Sequence, residues 1–207
     1  MKLEVLDING KSTGRSVELP EYVFGLEPND HVVYLAVKAA NANKRQGTHA
    51  TKERNAVKGS TRKIKKQKGT GTARAGDIKN PLFRGGGNIF GPQPRNYTQH
   101  INKKTRRLAR NTVLSAKAAN NKIIVLENVS YEQPSTSQFA EMLRALNVGD
   151  VKSLFLVGEN DKNLYLSSRN IPKIKMSNIK DVNTLDVLDA NTLVMTEDCF
   201  ELMKETV

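Results

Sequence analysis

Side chains able to do chemistry are few in this chain of 207 residues, and they are poorly placed for it. Gly71-Thr-Ala-Arg-Ala-Gly76 has the glycine spacing of a phosphate-cradling loop. Asp77 and Ile78 then stand where a lysine and a hydroxyl residue would hold phosphate and magnesium. Gly69-Thr-Gly71 followed by Gly76 misses the dinucleotide spacing, and no strand pattern precedes it. His31, His49 and His100 are scattered and Cys199 is the single cysteine, so neither a zinc site nor an internal disulfide is expected. No nucleophile has a histidine and an acid placed with it. No catalytic residue, metal or cofactor is therefore expected. What the sequence does hold in excess is positive charge, and the chemistry of dense positive charge is the binding of polyanions.

The formal net charge is +12, but it is unevenly spread. Residues 41–110 carry 19 of the 33 basic side chains and two of the 21 acids, Glu53 and Asp77, a local net of +17. The remaining 137 residues hold 14 basic and 19 acidic side chains, a net of −5. A solvated face mixes signs to limit self-repulsion, and this segment does not. Between Arg45 and Arg95 the large apolar residues are only Val57, Ile64, Ile78, Leu82, Phe83, Ile89 and Phe90, whereas nine of the 14 glycines fall there. Low hydrophobicity with high charge cannot offset the entropy of ordering, so residues 45–95 are expected to be disordered or extended when free and to fold on an anionic partner. A structureless stretch of about 50 residues is far longer than an ordinary connection.

The elements that hold this segment lie on either side of it. Lys2–Leu6 alternates as a half-buried strand, and Asn9-Gly10 is a hairpin signal before a second short run at Ser16–Leu19. Asn29 or Asp30 caps a helix that ends near Lys44 and Arg45, with Gly47 beyond. A second helix, from about Asn102 to Asn120, brings the chain back, with Leu108, Ala109, Thr112, Val113, Ala116 and Ala119 as its buried face. Its first turns carry Lys103, Lys104, Arg106, Arg107 and Arg110, against the preference of the helix dipole, unless a bound phosphate reverses the argument. Strand patterns at Ile123–Leu126, Ser153–Val157, Lys173–Met176 and Thr192–Met195 then alternate with helical ones. Ser135 and Gln138 form a capping box ahead of Phe139, Met142, Leu143 and Leu146, which are read as core. Short helices are expected at Asn163–Ser167 and Leu185–Leu188, and Thr196 caps a last one in which Cys199 is a small buried side chain. The fold class is α/β: a mainly parallel, four-stranded sheet flanked by helices, with a long basic extended loop inserted between two helices. Residues 1–44 and 96–207 make the body and 45–95 the loop.

The inserted segment also resembles a known signature. Arg45-Gln-Gly-Thr-His-Ala-Thr-Lys52, Gln67-Lys-Gly-Thr-Gly-Thr-Ala-Arg74-Ala-Gly-Asp-Ile, Pro81-Leu-Phe-Arg-Gly-Gly-Gly87 and Phe90-Gly-Pro92 are long, ordered motifs. Together with Asn102-Lys103-Lys104 they resemble the universal "protein four" family of the large ribosomal subunit, over the whole chain. The resemblance implies a non-enzymatic, primary ribosomal-RNA binder acting early in subunit assembly. It implies a loop that reaches the wall of the peptide exit tunnel, neighbouring ribosomal proteins and the nascent peptide as further partners, and a cytoplasmic location. By motif match the tip is Gln67, Lys68, Gly69, Thr70, Gly71, Thr72, Ala73 and Arg74. This sequence departs from the family at Thr72, usually a second arginine, and at Lys63-Ile64, often Pro-Trp.

The side chains expected to meet RNA follow. On the outgoing stretch they are Lys44, Arg45, His49, Lys52, Arg54 and Lys58. In the middle they are Arg62, Lys63, Lys65, Lys66, Lys68 and Arg74. On the return they are Lys79, Arg84 and Arg95, joined by the five cations of the second helix. Phe83, Phe90 and Tyr97 are candidates for stacking on unpaired bases, with packing against the body an equal alternative for Phe90 and Tyr97. The competing class is an RNA-modifying enzyme whose body binds a cofactor and whose basic arm holds substrate. A chaperone or anionic-membrane binder is disfavoured by the sparse apolar residues of the arm. The longest apolar run, Val32–Val37, is far short of a membrane span, and Glu4 and Asp7 stand where an export signal would be apolar.

Overall fold

The computed structural model describes residues 1–159 and 161–205. Among these residues six strands form one sheet: β1 (Lys2–Leu6), β2 (Ser12–Glu18), β3 (Ile123–Leu126), β4 (Ser153–Val157), β5 (Ile174–Asn178) and β6 (Thr192–Thr196). Their order is β2-β1-β3-β6-β4-β5. β1 and β2 are antiparallel across the Asn9-Gly10 turn, where Gly10 has φ +73°, and every other neighbouring pair is parallel. The expected four-stranded sheet is thereby corrected to a mixed, six-stranded one. The cause is non-local: Val5 pairs with Val125 and Leu6 with Leu126, which joins the N-terminal hairpin to the parallel strands. Nothing in the hairpin's own sequence specifies that partner.

Among the described residues seven helices accompany the sheet: α1 (Glu21–Phe24), α2 (Asp30–Asn43), α3 (Lys103–Ala119), α4 (Thr136–Ala145), α5 (Lys162–Ser168), α6 (Thr184–Asp189) and α7 (Glu197–Glu205). Strand alternation divides the core between two faces. Leu154, Leu156, Leu193 and Met195 pack with Val23 and Phe24 of α1, Val113 and Leu114 of α3, Val187 of α6 and Phe200 of α7. Phe155, Val157 and Val194 turn the other way, onto Phe139, Met142 and Leu143 of α4 and Leu164 of α5. All five residues of β4 are buried, as a strand covered on both faces requires. Ser135 caps α4 by accepting from the Gln138 amide at 3.4 Å.

The face that α3 buries differs from expectation. Ala109, Thr112 and Val113 are buried, but Leu108, Ala116 and Ala119 are exposed, while Asn111, Leu114, Ser115 and Ala118 are buried instead. The helix lies against both α1 and α6, so its covered arc is wider and rotated from a single stripe. Ser115 is polar and still buried because its hydroxyl donates to the Val23 carbonyl at 2.9 Å and accepts from the Leu26 amide at 3.2 Å. α1, only four residues long and led by Pro20, is too short to leave a periodic signal.

Candidate nucleic-acid interface

The chain separates into two units, residues 1–41 with 100–207, and residues 42–99. From 44 to 102 it contains no helix or strand. The second unit is nevertheless tied internally, its outgoing and returning limbs joined by backbone hydrogen bonds. Arg95 N donates to Gly47 O at 3.3 Å, Thr51 N to Pro92 O, Asn88 N to Lys52 O and Ile64 N to Gly76 O, the last three at 3.0 Å. Glycine permits the closest approaches. A Cβ on Gly47, whose φ is +67°, would lie 2.0 Å from the Arg95 carbonyl oxygen, and one on Gly87 would lie 2.3 Å from the Arg54 nitrogen.

Both acids of the arm are spent on these ties. Asp77 is buried and accepts from Arg54 Nη2 at 2.9 Å and Nε at 3.3 Å, and Glu53 accepts from Gln93 Nε2 at 2.7 Å. At the root, Asn43 bonds Gln99 in both directions, its Oδ1 accepting from the Gln99 amide at 2.7 Å. The Arg45 and Arg95 guanidinium groups lie 4.0 and 4.5 Å from the centre of the Tyr97 ring, whose hydroxyl meets His49 Nε2 at 2.7 Å. His49, Arg45, Arg95 and Tyr97 thus form one clasp, and Tyr97 is engaged with arginine rather than free to stack on a base.

The other expected contact residues sit differently. Lys44, Lys52, Lys58, Arg62, Lys66, Lys68, Arg74 and Arg84 are exposed, and Lys79 is half-buried. Among the described residues none of them has an acidic partner; Arg54 alone in the arm forms an ion pair. Gln67–Arg74, the expected tip, lies within the loop closed by the Ile64–Gly76 backbone bond. There Lys63 bonds Gln67, and Lys65 donates to the Thr72 hydroxyl at 2.9 Å. Phe90 is 100% exposed with φ +50°, and Leu82 is 89% exposed. No sequence pattern announced that positive φ.

In the body, Lys103, Arg106, Arg107 and Arg110 follow i, i+3, i+4, i+7 spacing and line a groove of about 230 Å³ with Val182, Asn183 and Thr184. Lys104 is not part of it. Burial, and then the neighbouring Arg107, lower the pKa of the half-buried Arg110 guanidinium. The opposite sign gathers elsewhere in the body, where Arg15 bridges Glu127 at 3.4 Å and Glu197 at 3.0 Å. A hydrogen bond between the Asp7 and Glu127 carboxyls raises the pKa of Glu127 and lowers that of Asp7. Cys199 is buried and donates to the Leu156 carbonyl at 3.1 Å; burial pushes its thiol up to about 11, away from reactivity. Among the described residues no three His, Cys, Asp or Glu side chains gather as metal ligands, and no helix is long and apolar enough to cross a membrane.

Residues 17–206 match the model of the ribosomal protein L4/L1 family. The large ribosomal subunit protein uL4 of Flavobacterium johnsoniae is 53% identical over 207 residues, 100% of this chain and 99% of that one. The protein of the same name from Christiangramia forsetii is 52% identical over 201 residues, 97% of each chain. That from Bacteroides fragilis is 50% identical over 197 residues, 95% of each.

Proposed function

The chain belongs to the ribosomal protein L4/L1 family, and from that premise we propose that it is a structural constituent of the large ribosomal subunit, with no catalytic step of its own. In this reading it is a cytoplasmic ribosomal component that binds large-subunit ribosomal RNA, acts in subunit assembly and contacts neighbouring ribosomal proteins. Its arm, residues 45–95, threads between RNA helices and presents Gln67–Arg74 to the nascent peptide at the tunnel wall. One observation carries the RNA-binding part: Asp77 is taken up by Arg54 and Glu53 bonds the neutral Gln93, so among the described residues the arm's other cations have no acidic partner. Such an arrangement costs repulsion in the free protein and is stabilised by closely spaced phosphates. Cross-limb bonds also order part of the arm in advance, which lowers the entropy lost when it enters RNA.

The test is binding to large-subunit ribosomal RNA across a salt series. If about ten phosphates are neutralised, log K falls against log salt with a slope of roughly −7 to −9. A slope near zero refutes the electrostatic account. Co-sedimentation with large subunits in high salt checks incorporation, since a casual basic binder washes off.

A further inference from the structure

We propose that the groove between the start of α3 and the Val182–Thr184 segment that leads into α6 is a seat for an RNA backbone phosphate, closed by Arg110. This rests on the RNA-binding reading above and assigns one binding element to the body itself. Three observations converge on it. Four cations on one helix face line the groove and, among the described residues, no carboxylate does. Arg110 is half-buried and, among the described residues, has neither an ion pair nor a side-chain hydrogen bond; Asp186 of nearby α6 is already paired with Lys175 at 2.7 Å. The facing wall offers Asn183, whose side chain makes no capping bond to α6, and the Thr184 hydroxyl, both able to donate to phosphate oxygens.

A partly desolvated guanidinium without a partner is an unfavourable arrangement that an anion resolves. A planar guanidinium also matches two phosphate oxygens at once, which an ammonium does not. The direction of the Arg110 shift agrees: burial removes water from the cation, and the like charge of Arg107 adds to the effect. Lys104 lies in the same helix outside the groove, so it provides a control with the same change of net charge.

The experiment compares the full chain with Arg110→Gln, Arg110→Lys and Lys104→Gln in binding to large-subunit ribosomal RNA over a salt series, with thermal melting of each free protein. Loss of one phosphate contact lowers the magnitude of the salt slope by about 0.7–0.9. That is about a five- to eightfold weaker binding near 0.1 M salt, converging on the parent toward 1 M. We expect this of Arg110→Gln, with an unchanged or higher melting temperature. Arg110→Lys should keep the slope, and Lys104→Gln should lose less than Arg110→Gln. The proposal is overturned if Arg110→Gln binds no worse than Lys104→Gln, or if its affinity and melting temperature fall together. A parent protein whose binding ignores salt removes the RNA-binding reading itself, a result distinct from failure of the seat alone.

Discussion

Replacing Asp77 by asparagine isolates what the arm's internal ties contribute. The side chain keeps its shape and an acceptor oxygen, but loses the charge that draws in Arg54. Asp77 is 7% exposed and Arg54 58%, so the pair is intermediate between a surface ion pair, worth about 0–1 kcal/mol, and a charge-assisted hydrogen bond, worth about 1.5–3 kcal/mol. Screening at the exposed arginine places the loss at about 1–2 kcal/mol, or roughly five- to thirtyfold in a local opening equilibrium. Hydrogen exchange reads this directly at the Asn88 amide, bonded to Lys52 O, and at the Gly87 amide, bonded to Lys79 O. Both should exchange faster by that factor in Asp77→Asn, while amides of β4 and β6 keep their rates. Unchanged exchange at Gly87 and Asn88 refutes the role given to the pair. Equal acceleration in β4 refutes the independence of arm and body.

Three further outcomes are expected. Phe139 is fully buried with its ring 5.2 Å from that of Phe155, so Phe139→Ala should lower unfolding stability by about 3–5 kcal/mol in a denaturant titration; a loss below about 1 kcal/mol contradicts the packing described. Cys199, held near 11 against an ordinary 9.0, keeps its proton where the unfolded thiol loses it, so the unfolded state binds fewer protons and stability falls as pH rises from 9 to 11. Cys199→Ala should abolish that component, and alkylation of the parent at neutral pH should proceed only as fast as unfolding. Phe90→Ala should leave melting unchanged, since the ring is wholly exposed, yet weaken RNA binding by about 1–3 kcal/mol with an unaltered salt slope if it stacks on a base.

Much of the body was legible from residue pattern. β3 and β4 run over the expected residues, the Ser135 capping box starts α4, and Phe139, Met142, Leu143 and Leu146 are all buried. These are local signals, carried by period, cap and neighbouring apolar residues. The buried face of α3 and the place of the N-terminal hairpin were not legible, because both depend on residues about a hundred positions away. The Arg110 groove stands between these cases. The stripe of four cations can be counted on a helical wheel, but the wall that makes it a groove comes from Val182–Thr184.

Charge composition alone therefore determined that a foldable body of nearly balanced charge carries an arm too basic and too poor in apolar residues to build a core. Those are sums over residue types, and no fold alters them. Tertiary structure decided which of those charges remain available. It placed the arm's two acids against Arg54 and Gln93, drew Arg45 and Arg95 onto Tyr97, and left Arg110 beside a neutral wall. Whether a cation is neutralised within its own chain depends on distances between residues remote in sequence, and only the folded backbone sets those distances.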